Sequence, residues 1–131
     1  MVATASSVRA TGEYRRMQQE SRAAGADPIE LVCMLYDELE LSLGVMASMI
    51  QRGQRVSATD PATRARTILI GLDANLDRKA GGDVADALSR VYRSMRRKLD
   101  EAVQLNDEAM LHELLEGVNS VSSAWRQLRY Q

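Results

Sequence analysis

Phenylalanine is absent from this chain, tryptophan occurs once and tyrosine four times, so aromatic content is very low. Two prolines in 131 residues leave few points where helix must break. The single cysteine, Cys33, excludes an internal disulfide and fits a reducing compartment. Seventeen basic against eighteen acidic residues give a net charge of −1, too little field to hold a phosphate backbone, so nucleic acid is not expected as a partner. No apolar run approaches the ~20 residues of a membrane span, and no membrane insertion is expected. The opening "MVATASSVRATGEY" has no apolar centre for a signal peptide. Together these absences predict a cytoplasmic protein.

What remains is Leu, Val, Ile, Met and Ala at helical spacing, and the fold expected is all-α. Residues 1–24 carry only Val8, Tyr14 and Met17 as large apolar groups and read as a mobile arm, with room for a short helix over Tyr14–Arg22. Residues 25–131 read as an antiparallel up-down four-helix bundle. Its first helix opens at "DPIE", with Asp27 as cap and Pro28 in first position, and stops at Gly53. Along it Ile29, Val32, Tyr36, Leu39, Leu43, Met46 and Ile50 form one stripe. Leu31, Met34, Leu35, Leu41, Val45 and Met49 form a second line beside it, more apolar surface than one buried face requires.

The second helix is expected from Asp60 as cap through Pro61, with Arg78 and Lys79 in its last turn. "KAGGDV" then forms a corner, Gly81 ending one helix in a left-handed conformation and Gly82-Asp83 leading into the next. The third helix lines up Val84, Leu88, Val91, Met95, Leu99 and Ala102. The fourth begins after an Asn106 or Asp107 cap and keeps a heptad-like seam of Leu111, Leu114, Val118, Val121, Trp125 and Leu128.

Tests for chemistry come back empty. The paired glycines follow a helix and have no phosphate-loop spacing. His112 stands between Glu108 and Glu116 on one helix, but a bundle metal centre needs ligands from several helices and no Glu-x-x-His occurs, so neither metal nor cofactor is expected. Cys33 reads as a small apolar packing residue. The basic "SRVYRSMRRK" reads as a solvated face with Arg97 and Glu101 paired four apart. The chain is not expected to be an enzyme.

Taken in order, several short motifs resemble the flagellin export chaperone family, FliS. Tyr14 lies fourteen residues before Pro28, which opens "PIELVCMLYD"; Leu76-Asp77, "GGDVADALSRVY", Asn106-Asp107 and Ala124-Trp125 follow. The likeness spans about residues 14–128. Against it, Glu38 follows "LYD" where the family usually has Gly-Ala, an acidic Glu40 stands two positions on, Ser94 replaces the family's second aromatic in the third helix, and Ile70 is apolar where a polar residue is ordinary. The resemblance implies a helical bundle that binds the disordered C-terminal segment of flagellin, blocks its premature polymerisation and presents it to a component of the flagellar type III export gate. Partner contact is expected at Tyr14, Met34, Leu41, Met49, Ile70 and Val103, apolar residues off or at the edge of the core stripes. The arm, anchored through Tyr14 and Met17, is expected to cover part of that surface when no client is bound. The alternative is a self-associating adaptor or structural subunit, a weak homodimer joined through the extra apolar line.

Overall fold

The computed structural model describes residues 28–129, so the expected arm, Tyr14 and the Asp27 cap lie outside the described residues. Four helices follow one another: α1 (Pro28–Gln51), α2 (Asp60–Ala74), α3 (Arg78–Leu105) and α4 (Glu108–Arg129). No strand occurs among the described residues. α1 packs against α2 and α4, and α3 packs against the same two helices, while the diagonal pairs stay apart. With short connections this makes an antiparallel bundle with neighbours in ring order. Tyr36, Leu39, Leu43 and Met46 of α1 meet Ala65, Leu69 and Leu72 of α2, Tyr92 and Leu99 of α3, and Leu111, Leu114 and Val118 of α4 in one core.

The helix ends explain why the chain turns where it does. Gly53, with φ +76°, donates its N–H to the Ile50 carbonyl, and the Gln54 N–H reaches Met49. That 5→2 and 6→1 pair is a Schellman stop and satisfies carbonyls that would otherwise be orphaned. The end of α3 repeats it with Asn106 in the left-handed region, Asn106 bonding to Val103 and Asp107 to Ala102. The Asn106 side chain then accepts from the Val56 N–H at 2.9 Å and donates to the Gln54 carbonyl at 3.1 Å, fastening the α1–α2 loop. That fastening carries Val56 into the core, fully buried. Asp107 is the cap of α4, accepting from the Met110 N–H.

Several boundaries differ from the sequence expectation. Thr59, not Asp60, is the cap position of α2, and its hydroxyl donates back to the Val56 carbonyl instead of capping. α2 stops at Ala74, where the Asn75 amide and its side chain both bond to the Gly71 carbonyl. Arg78 and Lys79 therefore open α3 rather than closing α2. Asp77 starts that first turn by accepting from Ala80. The expected glycine corner is instead a kink within α3 at Gly82, with φ 51° and ψ −127°, and Gly81 is not in the left-handed region. Gly81 is needed for space, since a Cβ there would sit 2.8 Å from that of Ala85.

Candidate docking surface

The α1–α4 seam is the most extensive contact in the bundle and the α3–α4 pair the least. Along the seam four hydrogen bonds set an antiparallel register. Arg126 donates to Asp37 at 2.7 Å and to Glu40 at 3.0 Å, Ser122 donates to Glu40 at 2.6 Å, and Gln51 donates to Glu108 at 2.6 Å. The two carboxylates hold the Arg126 guanidinium above its usual pKa. Beneath this clasp, Tyr36 and Tyr92 join hydroxyls at 2.5 Å across the core. Burial first, then the neighbouring Tyr92, pushes the Tyr36 phenol well above its ordinary pKa, while a hydrogen bond with Trp125 acts in the opposite sense.

Polar links hold the other side too. Asp73 accepts from the buried Ser89 hydroxyl at 2.6 Å and pairs with Arg78 and Arg93, tying the end of α2 to the start of α3. Arg66 pairs with Asp100, and Arg64 with Glu38. The basic run of α3 thus finds its acid through Arg93 on the neighbouring helix, and no Arg97–Glu101 ion pair forms among the described residues.

Cys33 is a free, buried thiol, and exposed His112 meets Glu108 at 3.1 Å. No group of three His, Cys, Asp or Glu among the described residues is placed to hold a metal. No helix among the described residues is long and apolar enough to cross a membrane.

Apolar surface is what stands out. Met34, Leu41 and Val45 are exposed on one side of α1, at 48%, 62% and 40%. Their spacing of seven and four residues puts them on a single line. Of the other contact candidates, Met49 and Val103 are half-buried against the core and Ile70 is buried. Val103 edges a shallow hollow of about 330 Å³ between α2 and α3. A larger groove of about 500 Å³ runs between α3 and α4, lined by Ala87, Val91, Ser94, Met95, Leu114 and Gly117 with Arg90, Lys98 and Glu113 at the rim. Sequence reasoning missed this groove. Its signal was the small residues Ala87, Ser94 and Gly117 at positions facing one interval. Val84 and Leu128, expected in the core, are exposed, Val84 because it follows the kink and Leu128 because it lies at the end of the bundle.

Among the described residues the helical bundle leaves apolar lines open, the surface character that protein–protein contacts use. The chain belongs to the FliS family of flagellar proteins, whose model matches residues 10–131. It is similar to proteins named flagellar secretion chaperone FliS. The one from Salmonella typhimurium is 31% identical over 126 residues, covering 95% of this chain and 91% of the relative. The one from Vibrio cholerae is 29% identical over 116 residues, covering 88% and 85%. Pseudomonas aeruginosa FliSB is 28% identical over 118 residues, covering 90% and 94%.

Proposed function

We propose that this chain is a cytoplasmic chaperone of flagellar secretion that binds the disordered C-terminal segment of flagellin. In this role it keeps the segment from polymerising prematurely and delivers it to a component of the type III export apparatus. The observation that carries this reading is membership of the FliS family over almost the whole chain, together with relatives named flagellar secretion chaperones. The unpartnered apolar surface is in keeping with it. A client that folds on binding loses several kcal/mol in ordering, so it needs extended rather than point contact. Two grooves and the α1 line offer such contact on three sides. Met34 and Leu41, with Tyr14 of the arm, are the side chains we assign to the client first, Met34 suiting an adaptable surface through its flexible thioether.

Calorimetric titration with the C-terminal segment of flagellin from the same genome tests the reading. A 1:1 complex with a large negative heat-capacity change is the expected result, reporting burial of apolar surface by coupled folding. Absence of binding overturns it. The Met34–Leu41–Val45 line also favours a second reading, self-association; concentration-dependent dimers without flagellin affinity would select it.

A further inference from the structure

Methionines at five described positions differ sharply in their access to solvent. Met46 and Met95 are buried in the core, and Met49 and Met110 pack half-buried against it. Met34 is exposed. It is the chain neighbour of Cys33, which is only 1% exposed. A helix turns about 100° per residue, so the two adjacent sulfurs leave α1 on different sides, one inward and one outward.

This placement inverts the usual order of sulfur oxidation. A cysteine reacts with peroxides as its thiolate and needs contact with solvent to do so. Burial keeps the Cys33 sulfur from the water that would carry the oxidant. A thioether has no proton to lose, so access alone admits the reaction at Met34.

The surroundings fix what oxidation would do. Met34 heads the open line of α1 that continues through Leu41 and Val45. At helical spacing its forward neighbours are Asp37 and Glu38. Both carboxylates are acceptors, bonded to Arg126 at 2.7 Å and to Arg64 at 3.1 Å. Neither these ionised groups nor Leu41 and Val45 can donate to a sulfoxide oxygen, so its hydrogen bonds come from water.

We infer that Met34 is a modification site, oxidised by hydroperoxides to the sulfoxide, and that this makes the α1 line polar while leaving the bundle folded. A sulfur lone pair attacks one oxygen of hydrogen peroxide, the O–O bond breaks and the S–O bond forms. The departing hydroxide takes the proton from the transferred oxygen and leaves as water. Sulfur loses two electrons and the peroxide gains them. An apolar partner that covers the sulfoxide strips its water and offers no donor in exchange. That consequence for binding rests on the reading of the α1 line as client contact; the chemistry at Met34 does not.

The test treats the full chain with dilute hydrogen peroxide and locates the added oxygen by tandem mass spectrometry. Met34 should be oxidised ahead of Met46, Met49, Met95 and Met110, with Cys33 still a thiol. The singly oxidised protein should keep its Tm, elute earlier from a hydrophobic-interaction column and bind the C-terminal flagellin segment about tenfold more weakly. Met34→Gln should show the same weakening without peroxide. Met34→Leu keeps the apolar line and has no sulfur to oxidise, so peroxide should leave its affinity unchanged. Oxygen arriving first at Cys33 or at another of these methionines overturns the inference. So does unchanged affinity of the Met34 sulfoxide, or equal loss of binding by peroxide-treated Met34→Leu. If the untreated chain has no affinity for flagellin, the proposed function fails, and peptide mass and column retention alone then uphold or overturn the site.

Discussion

α4 has two neighbours, and it meets them in opposite ways. Against α1 it closes completely, with Val118 and Ser122 fully buried and Arg126 clasped by Asp37 and Glu40. Against α3 it stands off, although only Asn106 and Asp107 separate the two helices in sequence. The difference lies in side-chain size. Leu39, Leu43 and Met46 fill the interval on the α1 side, whereas Ala87, Ser94 and Gly117 face the interval with α3. Both helices of that open pair are held in place by their other neighbours, α3 by α2 and α4 by α1. Small residues there leave a gap instead of drawing the helices together. Closure gives stability, and the gap leaves apolar surface uncovered.

That contrast can be broken from the closed side first. Leu39→Ala, at a fully buried position, should cost about 2–5 kcal/mol in chemical denaturation, the transfer term plus a cavity term. Alkaline pH is the next lever. The folded protein holds the Tyr36 phenol above its ordinary pKa, so its contribution is fully present below pH ~10 and declines as pH rises beyond that. Stability should fall there by about 1.4 kcal/mol per pH unit for this one group. Tyr36→Phe should lower the slope by that amount, as denaturation followed across pH would read. Glu40→Ala should cost about 1–2 kcal/mol, because it leaves Ser122 and Arg126 without an acceptor they share.

On the open side the signs change. Gly117→Ala should stabilise by about 1 kcal/mol, since it restores helix propensity where nothing crowds a Cβ. Lys98→Ala, on the groove rim, should move stability by no more than about 0.5 kcal/mol. A large loss from either substitution, measured by thermal or denaturant unfolding, would mean that the gap is part of the core after all.

Local chemistry made several elements legible. Pro28 and Gly53 bracket α1 as read, because a missing N–H and a positive φ act within one turn of the chain. The Leu111, Leu114 and Val118 seam is buried as its spacing implied. Of the second apolar line of α1, Met34, Leu41 and Val45 are exposed as a surplus line implies, whereas Leu31 and Leu35 are buried. The errors cluster where a partner distant in sequence intervenes. Val56 was passed over because Asn106, fifty residues on, carries it inward. Arg78 and Lys79 looked like the end of a helix, yet Arg78 pairs with Asp73 behind it and Asp86 ahead. Ile70 looked spare and is buried.

By itself, then, the sequence determined the helical class, the four helices among the described residues and most of their ends, since periodicity and caps act over a few residues. Only the tertiary structure decided which neighbour α4 closes upon and which it leaves open. Groove width is a sum over side chains brought together from α3 and α4, and no period within either helix contains that sum.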